Sequence, residues 1–366
     1  MAKVCNMLQN NVILLIFFIT QSYTLDPIWH EGQQCHMKDG TEAICRKEIE
    51  CPWLEQNVTK NKTFNYIRDV KRCSFMGDDA IICCPQILGS RGEVDPNQRR
   101  KSQIACEEFS LYGDRLVNHI SGGQAADIGE FPHAVALGYP TTPMEYKCGA
   151  SLISGKFLLT AAHCCEKHLL PRVARIGAVA LTDINDGSTP QMIQIKTCTV
   201  HPDFKPKTKS NDIAVIELQR PVNIEPNAYP ACLYSNSTDP SSTTILSAEG
   251  WGATSFDGTP SIGLMKVNLT IFDFQECNKT LKVHESARRP LQLSEKTQFC
   301  ALGVLKGESF GDTCPGDSGG PLQLQVNNRL HLFGITSYGI TCGSKVPAVY
   351  TKVSSYLDWI ESIVWP

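Results

Sequence analysis

Beyond one short stretch near its start, this 366-residue chain has no long apolar run. Spanning a membrane takes about 20 apolar residues, so nothing after residue 24 reads as an anchor. An excess of charge of one sign is missing as well. The formal net charge is −3, with acids and bases mixed along the chain, which leaves no broad basic field and argues against nucleic acid or a membrane surface as partner. Cysteine pairs with repeated zinc-type spacing are absent too, so no metal site and no cofactor are read.

The one apolar run, Val12 to Ile19, follows Lys3 and precedes the small and polar residues Thr20 to Thr24. It is about half the length of a membrane span, and the layout is that of a signal peptide over residues 1–24. A secreted, extracellular protein is therefore expected. Of the 17 cysteines, Cys5 lies in that leader, which leaves the mature chain enough for eight disulfides in an oxidising compartment.

Six of these, Cys35, Cys45, Cys51, Cys73, Cys83 and Cys84, crowd into residues 35–84. Too few large apolar side chains accompany them to hold a core alone, so this module depends on its bridges. The neighbours Cys83 and Cys84 must reach different partners, since adjacent residues on an extended chain point apart; the connectivity otherwise stays open. Residues 85–119 are polar and rich in breakers, with Arg99-Arg100-Lys101 and a lone Cys106, and read as an exposed linker. From Ile120 to the end, short apolar runs such as Phe157-Leu158-Leu159 and Ile213-Ala214-Val215-Ile216 recur between turn residues. That rhythm is all-β, a barrel or sandwich. A terminal amphipathic helix behind a serine cap is expected over Ser355 to Trp365.

Three motifs follow in order: Thr160-Ala161-Ala162-His163-Cys164, Asn211-Asp212-Ile213-Ala214 and Gly311-Asp312-Thr313-Cys314-Pro315-Gly316-Asp317-Ser318-Gly319-Gly320. A serine hydroxyl is a poor nucleophile at neutral pH, and Ser318 needs a base of the strength of His163. The imidazole needs one tautomer and a counter-charge, which Asp212 can supply. The oxygen charge that develops on a substrate carbonyl needs fixed donors, and the backbone N–H groups of Gly316 and Ser318 can converge there.

On these motifs the chain from Ile120 onward resembles the chymotrypsin-like serine proteases, and the six-cysteine module resembles the clip domain of arthropod members. The non-basic residue His119 and the phrase Phe131-Pro132-His133-Ala134-Val135-Ala136-Leu137-Gly138 look most like the snake and persephone branch. The resemblance implies a two-barrel protease domain over residues 120–366 behind a clip domain over 35–84. It implies that Asp312 lies at the base of a primary specificity pocket, walled by Ser337, Gly339 and Ala348, and selects Arg or Lys. Tyr338 and Thr341 depart from the usual residues, and the methyl of Ala348, where Gly is usual, narrows the slot. Ala178 stands where calcium-binding relatives carry an acidic ligand.

Activation, by the same resemblance, is cleavage between His119 and Ile120, after which the new ammonium pairs with Asp317. Because His119 is not basic, the activator is an upstream protease of non-trypsin specificity, or a first cut falls at Arg99-Arg100-Lys101; a merely solvated loop is the alternative there. The remaining partners are a downstream protease zymogen and a serpin inhibitor. The implied bridges are Cys35–Cys83, Cys45–Cys73, Cys51–Cys84, Cys106–Cys232, Cys148–Cys164, Cys277–Cys300, Cys314–Cys342 and, as the clip-protease addition, Cys165–Cys198. Sequons at Asn57, Asn61, Asn236, Asn268 and Asn278 permit glycosylation in a secreted chain. The expected function is a secreted serine endopeptidase zymogen in an innate-immune (Toll or melanisation) or patterning cascade. A digestive trypsin and a catalytically silent clip-domain adaptor are the rivals.

Overall fold

The computed structural model describes residues 33–48, 51, 53–54, 69–76, 79–85, 99–109, 124–166, 168–182, 187–236, 238–253, 260–284, 292–303, 305–306, 309–326, 329–340 and 342–366. The expected signal peptide, both activation residues His119 and Ile120, Thr341 and the sequons Asn57 and Asn61 lie outside them. The chain divides into two compact units, residues 1–93 and 94–366. Among the described residues no helix is long and apolar enough to cross a membrane.

The first unit is a small antiparallel sheet of β1 (Gln34–His36), β2 (Glu42–Lys47), β3 (Arg72–Met76) and β4 (Asp79–Pro85), in the order β1-β2-β4-β3. Strand alternation sends adjacent cysteines of β4 to opposite faces. Cys83 joins Cys35 and Cys45 in one apolar cluster, while Cys84 joins Cys51, Leu54 and Val70 in another. The bridges are Cys35–Cys83, Cys45–Cys73 and Cys51–Cys84.

The second unit opens with helix α1 (Lys101–Phe109) and the short β5 (Gln124–Ala125). A closed barrel follows, built from β6 (Ala134–Tyr139), β7 (Glu145–Leu152), β8 (Phe157–Thr160), β9 (Val173–Ile176), β10 (Gln191–Val200) and β11 (Ala214–Leu218). After β12 (Cys232–Leu233) come β13 (Leu246–Gly250), β14 (Met265–Phe272), helix α2 (Phe274–Lys282) and β15 (Gln298–Gly303). A minor hairpin, β16 (Leu305–Lys306) and β17 (Ser309–Phe310), precedes β18 (Pro321–Val326), β19 (Arg329–Tyr338) and β20 (Ala348–Lys352). Pairing of β19 with both β18 and β20 closes the second six-stranded barrel, β13-β14-β15-β20-β19-β18. The architecture is all-β, in the two-barrel chymotrypsin-like form, and its strands alternate or are wholly buried because each barrel fills with side chains rather than solvent.

The chain ends in helix α3 (Leu357–Val364), whose Leu357, Ile360 and Val364 are buried. Its start differs from the serine cap read from sequence. A 3-10 turn, Val353–Tyr356, runs directly into it, and the Ser355 hydroxyl donates to the Lys296 carbonyl instead.

In the basic stretch Arg99 and Lys101 are exposed as read, but Arg100 is half-buried and the chain runs on into a helix rather than an irregular linker. Arg100 sits at the entrance of α1 with its guanidinium on Glu361 (Nε to Oε1 3.0 Å) and on Asp358 of α3. The Ser102 hydroxyl donates to Glu361 Oε1 at 2.6 Å, and Lys101 donates to the Trp365 carbonyl. The bridge Cys106–Cys232 fixes the same helix to β12. Few apolar residues of α1 are buried, so these polar ties hold it in place.

Glu361 is largely buried, its side chain 13% exposed, whereas Arg100 keeps a third of its side chain in solvent. The expected loss from Arg100→Ala is about 1–2 kcal/mol, below the full value of a charged hydrogen bond because of that exposure. Limited digestion by trypsin should cut the parent slowly at Arg99 to Lys101. A Ser102→Ala, Glu361→Ala variant should be cut there many times faster, and equal rates would show that the clamp does not protect the stretch.

Candidate active site

Strand register brings the first two chemical residues together. Because β8 pairs with β11 with Thr160 opposite Ala214, the segment leaving β8 and the one entering β11 lie side by side. His163 rides on the 3-10 turn Ala162–Cys165 of the first and Asp212 ends the second. The turn is bolted down by Cys148–Cys164 and Cys165–Cys198, and the Tyr139 hydroxyl donates to the Cys164 carbonyl at 2.8 Å. Before Asp212, Asn211 takes φ 54°, a left-handed conformation that asparagine tolerates well. Its amide donates to the Asp203 carbonyl and accepts from Tyr356.

Asp212 is fully buried. Its Oδ2 lies 2.8 Å from His163 Nδ1 and accepts the Ser337 hydroxyl at 2.6 Å, and its Oδ1 accepts the His163 backbone N–H at 3.0 Å. Burial alone would push this carboxyl up. The charge of His163 and the hydrogen bonds from the His163 ring, Ser337 and the His163 backbone outweigh that, and it stays below the usual carboxylate range. Ser337, read from sequence as a pocket wall, thus also props the Asp212 carboxylate.

Ser318 arrives from the second barrel. Gly319 donates to the Thr336 carbonyl at 2.8 Å, while the Ser318 carbonyl accepts from Gly149 of β7 at 2.8 Å and lies 3.6 Å from Cys164 Sγ. Among the described contacts no hydrogen bond joins the Ser318 hydroxyl to His163, a bond that in such sites often tightens only once substrate is bound. Gly316 has φ 105°, which only glycine adopts freely, and an added Cβ would stand 2.8 Å from Gly252 Cα. Neither the Gly316 nor the Ser318 N–H is taken by a backbone acceptor among the described residues.

Two further carboxylates, Asp317 and Asp312, are half-buried without a cation beside them among the described residues. Asp317 accepts the Gly252 N–H at 2.7 Å and the Cys314 N–H at 2.8 Å, and burial lifts it to about 6. Asp312 accepts the Thr313 N–H at 2.8 Å and the Gly343 N–H at 3.2 Å, beside the Cys314–Cys342 bridge. Burial lifts it to about 7, opposed by those two N–H groups and aided by the nearby Asp317 charge. The facing wall is close: an ideal Cβ on Gly339 would stand 3.8 Å from the Ala348 methyl, itself 1% exposed.

The bridges Cys277–Cys300 and Cys106–Cys232 complete a total of eight in the described residues. Of the sequons described, Asn236 is exposed and its Oδ1 accepts from Thr238, while Asn268 on β14 and Asn278 on α2 are half-buried.

A half-buried carboxylate that titrates near 7 binds a cation only when it has lost its proton. Acidification below about 7 should therefore weaken a small arylamidine cation at Asp312 by up to tenfold per pH unit. Competition or calorimetry across pH 5 to 8 measures this directly, and flat affinity over that range would show that Asp312 is ionised throughout it, whereas an Asp312→Ser variant that binds as tightly as the parent would rule out Asp312 as the anionic contact.

The trypsin family profile matches residues 120–360. Serine protease Hayan of Drosophila melanogaster is 34% identical over 74% of this chain, although the match spans only 43% of that longer protein. Serine protease snk of the same organism is 31% identical over 92% of this chain and 79% of its own length. CLIP domain-containing serine protease B4 of Anopheles gambiae is 31% identical over 98% of this chain and its full length. Two six-stranded barrels, the His163–Asp212 contact at their junction and these matches converge: the chain belongs to the trypsin family of serine endopeptidases, in its clip-domain group.

Proposed function

We propose that the protein is a secreted zymogen of an extracellular proteolytic cascade which, once cut between His119 and Ile120, cleaves a downstream protease zymogen after Arg or Lys. The observation that carries the reading is the wholly buried Asp212, 2.8 Å from His163 Nδ1 at the barrel junction where Ser318 also lies. Ser318 attacks the scissile carbonyl carbon while His163 takes its proton through Nε2. Asp212 keeps the other ring nitrogen protonated and offsets the imidazolium that forms. The Gly316 and Ser318 N–H groups receive the oxyanion, and His163 returns the proton to the leaving amine. Water then repeats the sequence on the acyl-enzyme. Asp312 supplies the basic preference, since only a cation offsets a charge buried in that slot.

The uncompensated Asp317 supports the zymogen reading. Its folded pKa, about 6, is raised above the ordinary 3.8, so the uncut chain holds that proton longer than the unfolded chain does. Stability from this site is greatest at low pH and falls as pH rises through about 6. An Ile120 ammonium beside it would remove that cost near neutrality. The pair would then fail at alkaline pH, when the amine, its own pKa raised by Asp317, loses its proton. A basic residue at 119 is absent, which supports an activator of non-trypsin specificity. The clamp on Arg100 argues against a first cut at Arg99 to Lys101. Innate-immune or patterning cascades and a serpin partner follow from the clip-domain resemblance, and export from the signal-peptide layout of residues 1–24. The intact His163, Asp212 and Ser318 speak against a silent adaptor, and the tethered disulfide module against a digestive enzyme.

Cleaved enzyme should start at Ile120 by N-terminal sequencing, and Ser318→Ala should lower peptide hydrolysis by several orders of magnitude without changing the cleaved chains. Residual activity within tenfold of the parent, or a different new terminus, would sink the reading.

Ser337→Ala removes one of the three donors on Asp212 and leaves a buried charge less satisfied. A loss of about 1.5–3 kcal/mol in transition-state stabilisation, roughly 10- to 150-fold in kcat, is expected from a charged hydrogen bond. Unchanged kcat with raised KM would instead confine Ser337 to the pocket wall.

A further inference from the structure

One buried charge cluster takes no part in the chemistry above. Glu249, on β13, has no side-chain exposure, and its Oε1 lies 3.2 Å from Nε2 of His133, which is 1% exposed. Neither atom has a hydrogen-bond partner among the described residues, so the two face each other by proximity alone. The other carboxylate oxygen accepts the Gln323 side-chain amide at 2.8 Å. Burial pushes the Glu249 carboxyl above its usual range, opposed by the neighbouring His133 ring and the Gln323 amide, and the nearby charge of Glu130 adds to the rise. Lys266 is opposite Glu249 on β14, but its ammonium is taken by Glu130 at 2.6 Å. Those two neutralise each other, which leaves His133 Nε2 and Glu249 Oε1 facing each other at 3.2 Å.

The placement of this pair links three parts of the active unit. His133 immediately precedes β6 of the first barrel, and its carbonyl accepts from Leu152 at 2.8 Å. Gln323 lies on β18, the strand that follows Ser318. Glu249 itself begins the short run against which the catalytic loop leans. The Gly252 N–H donates to Asp317, and the Ala253 N–H donates to the Pro315 carbonyl at 2.8 Å. A Cβ on Gly250 would stand 2.1 Å from Asp317 Oδ1, and one on Gly320 would stand 3.3 Å from the Glu249 carbonyl. Residues 315–320 thus rest on the backbone of residues 249–253 along its whole length.

We propose that His133 and Glu249 are positioning residues for the oxyanion loop: they tie the Glu249–Ala253 backbone to the first barrel at the depth that seats Asp317, Gly316 and Ser318. The inference rests on the protease reading above. It assigns to a buried His–Glu contact a role in the equilibrium between formed and unformed loop. An uncompensated charge in that place disfavours the formed loop, because burying one partner alone is costly. In the cleaved enzyme, a weaker seat for Asp317 also weakens its hold on the Ile120 ammonium.

The test compares cleaved parent, Glu249→Ala, His133→Ala and the double variant His133→Leu, Glu249→Leu. Three readouts are the rate of inactivation by a serine-directed active-site label, the alkaline midpoint of activity and thermal unfolding. The single variants are expected to label about tenfold more slowly at pH 8 and to lose activity about one pH unit lower. The double variant keeps neither polar group of this pair, so it should fold even where a single variant does not, and it should still show the slower labelling and lower midpoint. A double variant that labels and titrates like the parent would overturn the proposal, as would single variants that lower the unfolding temperature alone. Failure of the parent itself to label would count against the protease reading and not against this pair.

Discussion

A carboxylate with no exposure, Asp212, is the constraint around which the second unit is arranged. A lone charge at that depth is unaffordable in a low-dielectric interior, so the surrounding chain must deliver donors to it. The His163 ring and backbone come from the first barrel, and the Ser337 hydroxyl comes from the second. The Thr351 hydroxyl holds the Asp212 carbonyl at 2.9 Å. Both barrels must therefore be formed and correctly abutted before the charge is satisfied, and the same abutment sets the Ser318 carbonyl against Cys164, the neighbour of His163.

Asp312 and Asp317 obey the opposite rule. Each accepts only two backbone N–H groups, with no cation beside it among the described residues, and each titrates far above the ordinary carboxylate value. A half-buried carboxylate in that condition is a receptor for positive charge. The proposed function gives one a substrate side chain and the other a newly made amino terminus. In the proposed function, activation and substrate selection would use one physical device at these two places.

Elsewhere the fold is held by cross-links where apolar burial is scarce. The small first unit encloses two modest clusters, each built round cysteines, which suits a module too small to sustain a large core. Helix α1 has little apolar surface to bury and is kept on the protease unit by Cys106–Cys232 and by Arg100, Lys101 and Ser102 on α3 and the chain end. Such a helix is tied by directional contacts, so its position is specific even though its packing is thin.

How much of this was legible depends on the range over which each feature is encoded. His163, Asp212, Ser318 and Asp312 announce themselves in short motifs, because the turns that present them need particular neighbours in the chain. The all-β class followed from short apolar runs between turn residues, and reliance on bridges in the first unit followed from cysteine density. Only the tertiary structure decided that Ser337 props Asp212, that Arg100 is clamped on α3 and that His133 faces Glu249. In each of those pairs the partners are distant in sequence, and neither residue lies in a pattern that betrays the other. Local sequence sets backbone turns and strand alternation, but the pairing of buried charges is fixed only when the strands that carry them have taken their register.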